Sequence, residues 1–193
     1  MTQALSDDGD FLGGKLLVAM PGIEDPRFER AVLLMCAHTP EHAIGITVNR
    51  PLELSTPDLL QRLGVQPNFR MAETSVLAGG PVERERGFVL HSDDYAAPDS
   101  TLPVTEGVAL TVTREVLEAM GDRARKPERS LPALGHASWG AGQLESEIRE
   151  SVWLIADPDE AIIFDEDHDT KWERALARIG VRADQLSAQT GHA

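Results

Sequence analysis

Short apolar runs recur along most of the chain, each bounded by glycine, proline or polar residues, and this pattern predicts strands. The four residues TPEH, which separate two of these runs, suit a hairpin connection. Gly45 inside one run indicates a bulge or a close backbone approach, and Pro132 near the beginning of another indicates an edge strand or a strand start. The predicted strands span residues 15–20, 31–38, 43–49, 75–78, 87–91, 102–104, 108–112, 131–137, 152–156 and 161–164.

Four other stretches place apolar residues three or four positions apart, which predicts amphipathic helices. They span residues 56–63, 114–120, 142–149 and 171–179. Thr170 and Glu173 have the spacing of a capping box, so we expect them to cap the last helix. Paired strands with helices between them favour a mixed α+β sheet over a strictly alternating parallel one. We therefore predict an α+β protein with a single domain over residues 11–193, preceded by a loose acidic tail at residues 1–10.

The charge of the chain restricts its partners. Lys and Arg number 18 against 32 Asp and Glu, which gives a net charge of −14. Such a protein repels phosphate backbones and anionic lipid, so we expect no direct nucleic-acid binding and no membrane association. No apolar stretch approaches the roughly 18 residues of a membrane-spanning helix. The acidic start, MTQALSDDGDF, lacks the profile of a secretory signal, and we expect a cytoplasmic protein.

Two conspicuous features have simple structural interpretations. The basic cluster at residues 123–129 also contains acidic side chains, and we interpret it as a solvated loop. The single cysteine, Cys36, cannot form an internal disulfide. It lies in the apolar run AVLLMCAH, where a small buried side chain is the usual interpretation.

Three sequence features suggest a binding surface or chemistry. The segment GGP at 79–81 follows a predicted strand, where two glycines permit a tight turn and can also expose amides to an anion. His91 ends the strand GFVLH beside acidic residues, so it is either a structural histidine or a base oriented by a carboxylate. Gln143 and Glu147 lie one turn apart on the predicted third helix, which we interpret as a solvated helix face, although a carboxylate there can act in acid–base chemistry if it is buried.

The remaining polar clusters favour structural roles. Ser138 follows His136 by two residues, so both can share one face of a strand, but their surroundings do not match the G-x-S-x-G pattern of hydrolases. The acidic run at 165–169 lacks the ligand alternation and the glycine of a calcium loop, and it suits the N-terminus of the last helix. We expect no metal and no cofactor.

Several longer segments occur together and in order: LLVAMPGIEDPRFERAV, GITVNRPL, GGPVERERGFVLHS, TREVLEAMG, LGHASWGAGQLESEI and VWL. On these segments the chain resembles the bacterial YqgE/AlgH family, from about Phe11 to its C-terminus. The resemblance implies a bifurcated, mostly antiparallel sheet rolled into a pseudo-barrel with helices packed outside. It implies no established enzymatic activity and no cofactor, while the AlgH name carries an association with transcriptional regulation of alginate synthesis. His136 departs from the family, which often has tyrosine there.

The positions that match the family's motifs are candidate surface or fold positions rather than catalytic residues. Those expected to line a cleft or bind a ligand are Asn49, Arg50, Gly79, Gly80, Pro81, His91, Trp139, Gln143 and Glu145. The motifs also contain Pro51, Gly87, Gly135, Gly142 and Leu144.

Three functions are open from the sequence. The first is a cytoplasmic ligand-binding or protein-interaction domain whose partner is an unknown small molecule or protein. It is favoured because Trp139 stands among polar residues such as Gln143, a mixture suited to a small-molecule cleft. The second is a regulator of transcription that acts through a protein partner, since direct DNA binding conflicts with the net charge. The third is an unrecognised hydrolase that uses His91 or Ser138.

Overall fold

The computed structural model describes residues 11–23, 25–182 and 184 of the 193-residue chain. The predicted tail at residues 1–10 lies outside the described residues. The strands are β1 (Leu16–Ala19), β2 (Val32–His38), β3 (His42–Thr47), β4 (Pro51–Ser55), β5 (Ser75–Ala78), β6 (Val82–Ser92), β7 (Thr101–Thr105), β8 (Val108–Thr111), β9 (Ser130–Gly140) and β10 (Trp153–Ala156). The helices are α1 (Thr56–Arg62), α2 (Arg114–Met120), α3 (Gln143–Arg149), α4 (Glu160–Phe164) and α5 (Lys171–Arg178). Among the described residues, none of these helices has the length and apolar character needed to cross a bilayer.

All of these strands belong to one curled sheet, which forms a half-barrel and branches at β9. Its main path has the strand order β10-β1-β2-β3-β9-β6-β8-β7. A strand has only two edges, and β6 occupies one edge of β9 over residues 130–136. The other edge is shared, because parallel β5 pairs at residues 133–134 and antiparallel β3 pairs at residues 137–140. The predicted mixed α+β fold with a bifurcated, mostly antiparallel sheet is therefore confirmed.

Three glycines allow two backbones to touch at this branch. A Cβ on Gly79 would lie 2.3 Å from the Gly135 carbonyl oxygen, and a Cβ on Gly80 would lie 2.1 Å from the carbonyl carbon of His136. Gly135 also has a left-handed φ of 79°, which residues with side chains rarely adopt. The Gly79 amide donates to the Leu134 carbonyl, and its own carbonyl accepts from the end of β3. Close packing and hydrogen bonds thus fix the two glycines of the GGP segment.

Helices cover both faces of the sheet around β1, which explains why this strand is apolar on both sides. Leu16 and Val18 pack in a core with α4 and α5, whereas Leu17 and Ala19 pack in a second core beneath α3. All four residues are fully buried. Removal of apolar surface from water, at about 25 cal/mol per Å², is the main stabilising term for such layers.

A fully buried lysine joins α5 to the rest of the first core. The Lys171 Nζ donates to the carbonyls of Val48 and Ile163 at 2.9 and 3.0 Å. The Ile163 carbonyl lies in the last turn of α4, where backbone acceptors have no partner within the helix. Burial lowers the pKa of Lys171 from 10.5 to about 8.

The predicted strand at residues 161–164 is wrong, because these residues belong to α4. The Asp159 carboxylate accepts from the amides of Ala161 and Ile162 at 2.9 and 3.2 Å, which is an N-cap. A short apolar run fits a buried helical turn as well as a strand. The preceding aspartate stabilises the helix here.

Two strands differ from their predicted extent. The segment at 82–86 was expected to be a connection, but β6 begins at Val82 and continues through it, with an irregular register before Gly87. Strand β4 was not predicted, because its first three residues are exposed and it lacks an apolar run. Pro132 lies in the most connected strand of the sheet and not at an edge. It is nevertheless near the strand start, since β9 begins at Ser130. The pairing of β9 with β5 begins only after Pro132, at Ala133.

The last helix is confirmed, but its predicted capping box is wrong. A 3-10 turn at residues 168–170 precedes α5, and the Thr170 hydroxyl donates to the Asp167 carbonyl instead of capping α5. Trp172, Ala175 and Leu176 form the buried face, as the helical spacing predicts.

Other sequence predictions are confirmed in the β2–β3 hairpin. Gly45 permits a close approach, since a Cβ there would lie 3.0 Å from Met35 Sδ, while the register irregularity falls on β2 between Met35 and Ala37. Cys36 is buried at this irregularity, and burial raises the pKa of its thiol to about 12. The thiol therefore stays protonated and unreactive at neutral pH.

Candidate ligand-binding clefts

A cleft of about 600 Å³ opens between the loop after β1, the end of β9 and helix α3. We call it the indole cleft, because Trp139 and Trp153 are in its lining together with Phe28, Gln143 and Glu147. A volume of this order is typical of small-molecule sites.

The sequence GHASWGAGQLESE places these side chains through a tight turn between β9 and α3. Trp139 is buried between two exposed neighbours on β9, as expected for alternating strand side chains. Gly142 turns the chain with a left-handed φ of 72°, and Gln143 Oε1 accepts from the Gly140 amide at 3.1 Å. Glu147 follows Gln143 by one helical turn, so its carboxylate reaches back to the end of β9.

Aromatic rings form a preformed floor in the indole cleft. The rings of Trp139 and Trp153 meet edge to face with centroids 6.1 Å apart, and Phe28 meets Trp153 in the same way at 5.4 Å. The two tryptophans are only 3% and 2% exposed. Edge-to-face pairs add to the stabilisation from burial, so these rings are held in place by their neighbours.

Glu147 is the charged group of this floor. Its Oε2 accepts from the Trp139 Nε1 at 2.7 Å. Burial is the main reason why the pKa of Glu147 is raised, although the indole hydrogen bond acts against the rise. No lysine, arginine or histidine lies within ion-pair distance of Glu147 in the part of the chain that the structure describes. The cleft therefore contains a partly desolvated carboxylate without a cationic partner.

The second tryptophan supplies a hydrogen-bond donor to the same place. The Trp153 indole lies close enough to Glu147 to lower its pKa, but the buried Nε1 forms no hydrogen bond of standard geometry among the described residues. Buried polar groups without a partner are rare in proteins and call for an explanation. The floor of the indole cleft thus combines apolar surface with one buried N–H group that lacks a well-formed hydrogen bond.

A second cleft of about 280 Å³ adjoins the indole cleft, because Arg27 and Pro81 contribute to both. We call it the arginine cleft, since Arg50 and Arg84 also line it, together with Gly80. Arg27 is neutralised by a two-point ion pair with Asp25. Three guanidinium groups around one small cavity stand out in a chain whose net charge is −14.

Two of the candidate residues fix the loop that borders both clefts. Asn49 accepts from the Val32 amide and donates to the Arg30 carbonyl, at 3.0 and 2.8 Å. Arg50 donates to the carbonyls of Pro26 and Glu29. The NR pair after β3 therefore holds the loop that carries Arg27 and Phe28.

The candidate residues do not all converge. Trp139, Gln143 and Pro81 line the indole cleft, and Arg50, Gly80 and Pro81 line the arginine cleft. His91 lies elsewhere, fully buried on β6, where it pairs with Ala109 of β8. Its Nδ1 donates to the Ser92 carbonyl and its Nε2 accepts from the Thr111 hydroxyl, which leaves the ring without a free nitrogen.

Glu145 also lies outside both clefts and pairs with a buried histidine. The His38 Nδ1 accepts from the Leu12 amide at 3.0 Å, so its Nε2 carries the hydrogen and donates to Glu145 at 2.6 Å. This pair fastens the segment before β1 to β2 and α3. The ligand-binding assignments of Glu145 and His91 stay predictions.

No catalytic pair forms around Ser138. The neighbouring His136 bonds through Nε2 to Glu83 at 3.1 Å and through Nδ1 to the Ala137 carbonyl. Ser138 has no hydrogen bond to this ring among the described residues. Within the same residues, no three His, Cys, Asp or Glu side chains lie close enough together to hold a metal ion.

Several residues that shape the clefts were not among the candidates predicted from the sequence. Glu147 was expected to lie on a wet helix face, yet it is partly buried beneath the loop after β1. The spacing of Glu147 from Gln143 can be read from the sequence, but the position of the loop after β1 beside Glu147 cannot. Arg84 stands in a segment expected to be a connection, and Phe28 lies far from α3 in the sequence.

The chain resembles known proteins both in its sequence and in its fold. A sequence model of the family described as AlgH-like matches residues 16–184. A UPF0301 protein of Caulobacter vibrioides is 61% identical over 188 residues, which cover 97% of this chain and 96% of that protein. A UPF0301 protein of Rhodopseudomonas palustris is 45% identical and covers 97% of this chain and 89% of its own length.

Solved structures agree with these sequence matches. The solution structure of the AlgH protein from Pseudomonas aeruginosa has a TM-score of 0.74 at 36% identity, over 95% of this chain and 97% of that one. A Corynebacterium diphtheriae protein has a TM-score of 0.68 at 18% identity, over 86% of both chains, and shows similarity of fold alone.

Proposed function

The chain belongs to the AlgH-like family, and from this premise and the chemistry of the indole cleft we propose that it binds a small organic cation, such as a primary or quaternary amine. The observation that carries the proposal is Glu147, a partly buried carboxylate at the N–H edge of the Trp139 indole, with no cationic partner among the described residues. Binding without catalysis is the proposed activity, and the cytoplasmic location predicted from the sequence stays part of the proposal.

The carboxylate supports a cationic ligand on energetic grounds. Desolvating a charge is costly unless an opposite charge or hydrogen bonds compensate it. The Trp139 indole supplies one hydrogen bond to Glu147 but no charge. A primary ammonium group supplies both, since a charge-assisted hydrogen bond is worth about 1.5–3 kcal/mol, whereas a quaternary ammonium group supplies the charge alone.

The aromatic floor supports the same class of ligand. Cations bind over aromatic rings within about 6 Å of the ring centroid, with tryptophan the strongest partner. Trp139 and Trp153 contribute such rings to the indole cleft, whereas the Phe28 ring already has the Arg27 guanidinium 5.6 Å from its centroid. The net charge of −14 also draws cations toward the molecule at low ionic strength.

The proposal is tested by calorimetric titration of the protein with tetramethylammonium, butylamine and the neutral analogue butanol. We expect the two cations to bind and butanol not to bind. Because the ligand requires an ionised Glu147, affinity rises as the pH increases through the raised pKa of this residue and becomes constant above it. The substitution Glu147→Gln is expected to weaken cation binding about tenfold or more and to remove the pH dependence.

The matched control is Glu173→Gln, which removes the same charge from an exposed position on α5. It should change the affinity by less than about threefold, the effect of a screened surface charge. Equal losses in the two variants would mean that only the overall charge matters. Equal binding of butanol and butylamine would contradict the proposal outright.

A further inference from the structure

We propose that the arginine cleft binds an oxyanion group, a carboxylate or a phosphate, carried by the same ligand whose cation lies in the indole cleft. The protein would then recognise a small zwitterion. This inference rests on the proposed function for its cationic half, while the anionic half rests on separate residues. Arg50 and Arg84 carry that half.

Arg50 is a partly buried cation without a carboxylate partner. Its guanidinium donates to the carbonyls of Pro26 and Glu29, at 3.4 and 2.6 Å. Carbonyl oxygens satisfy these two donors, while the carboxylates of Glu29 and Asp25 act on the positive charge only from beyond ion-pair distance. No carboxylate of the described chain lies within ion-pair distance of Arg50, and burial lowers the pKa of the guanidinium.

Arg84 provides a second positive charge across the same cavity. It is exposed, and in the described residues it forms neither a hydrogen bond nor an ion pair. Its neighbour on β6, Arg86, is by contrast paired with Glu83 at 3.2 Å. A guanidinium group binds carboxylate and phosphate through parallel hydrogen bonds, so two arginines around 280 Å³ suit an oxyanion.

The two clefts are adjacent, and on this adjacency we base the inference that one ligand can reach both. Arg27 and Pro81 line both cavities. Arg27 does not compete for either end of the ligand, since Asp25 neutralises it through two hydrogen bonds. Among the described residues, the charges of these two clefts that lack an ion-pair partner are therefore Glu147 in the indole cleft and Arg50 with Arg84 in the arginine cleft.

The experiment measures whether an anionic group adds affinity to an amine. Calorimetric titrations use alkylamines, ω-amino carboxylates and aminoalkyl phosphates of increasing spacer length, with acetate and inorganic phosphate as separate probes. At the best spacer length we expect the zwitterion to bind about tenfold or more tightly than the matching amine. The carboxylate and phosphate series show which oxyanion fits.

The variant Arg84→Gln should remove most of this gain and leave the affinity for the plain amine unchanged. Arg86→Gln, on the same strand and outside the arginine cleft, should keep the gain. A second variant, Arg50→Gln, should also lose the gain, and its affinity for the plain amine reports whether the loop at residues 26–29 is still in place. A gain that persists in both cleft variants, or no gain at any spacer length, would overturn the inference.

These outcomes separate the inference from the proposed function. If amines fail to bind, but acetate or phosphate binds and loses at least threefold affinity in Arg84→Gln, the arginine cleft is an anion site and the cation proposal is wrong. If amines bind and no oxyanion adds affinity, the cation proposal stands and the zwitterion inference is wrong.

Discussion

The buried lysine of α5 makes a quantitative prediction about stability. Lys171 is fully buried with its Nζ on the carbonyls of Val48 and Ile163, and burial lowers its pKa to about 8. A change from 10.5 to about 8 corresponds to about 3 kcal/mol, at 1.36 kcal/mol per pKa unit. The substitution Lys171→Met removes the charge and keeps a long side chain that favours helix.

The sign of the pH effect follows from proton binding. Below about pH 8, both the folded and the unfolded chain carry the Lys171 proton, and the folded state bears the buried charge. Between about pH 8 and pH 10.5 only the unfolded state holds that proton, so the free energy of unfolding rises with pH. Cys36 lowers the free energy of unfolding above about pH 9, because its raised pKa keeps the folded thiol protonated while the unfolded thiol ionises. A Cys36→Ala background removes this opposing contribution.

The assay is guanidinium unfolding followed by tryptophan fluorescence, across pH values from neutral to about 10.5, in the Cys36→Ala background. We expect the lysine protein to gain about 3 kcal/mol relative to Lys171→Met across the window. Near neutral pH we expect Lys171→Met and its parent to have similar free energies of unfolding. The variant no longer buries a charge, which stabilises it, but each carbonyl that loses its donor costs about 1–3 kcal/mol, and the two effects offset each other. The control is Lys126→Met, which replaces an exposed lysine. Its free energy of unfolding should change with pH in the same way as that of its parent. Parallel profiles for Lys171→Met and its parent would refute this reasoning.

Two further predictions concern the branch of the sheet and the buried thiol. Gly135→Ala should lower the free energy of unfolding by about 3 kcal/mol or more, since its Cβ would lie 2.5 Å from the Gly80 carbonyl at a left-handed φ. Gly142→Ala should cost only about 1–2 kcal/mol in the same unfolding assay, because its φ is similar but nothing lies within 4 Å. Cys36 should react with a thiol-reactive disulfide only at the rate of unfolding, and rapid labelling of the folded protein would contradict its burial.

Periodicity predicted most of the fold because burial on one or two faces leaves a direct trace in the sequence. The buried face of α5 and the β2–β3 hairpin are examples. The misassigned segment at 161–164 is too short for periodicity to distinguish a helical turn from a strand. There the N-cap at Asp159 is a local signal that could have identified α4.

Other features depend on tertiary contacts that the sequence does not express. The charged segment VERER looks like a connection, yet it extends β6 because β9 offers it an edge. Thr170 and Glu173 have the spacing of a capping box, but the Thr170 hydroxyl donates to the Asp167 carbonyl in the 3-10 turn before α5. Local propensity is a weak predictor where neighbouring chain segments supply the hydrogen bonds.

The clefts were partly predictable. Trp139 and Gln143 were candidates, and both line the indole cleft because a glycine turn connects their elements. Glu147 was not a candidate, since its burial depends on a loop more than a hundred positions earlier in the chain. Arg50 was a candidate, but its partners Arg27 and Arg84 come from separate segments that only the fold brings together.

We propose that Glu147 and the arginine cleft hold opposite ends of one ligand. A crystal structure of the protein with the zwitterion that binds most tightly would show both contacts at once. We expect the ammonium group within hydrogen-bond distance of the Glu147 carboxylate and the oxyanion within hydrogen-bond distance of Arg50 or Arg84. A ligand bound outside both clefts, or bound with its ends reversed, would rule out this binding mode.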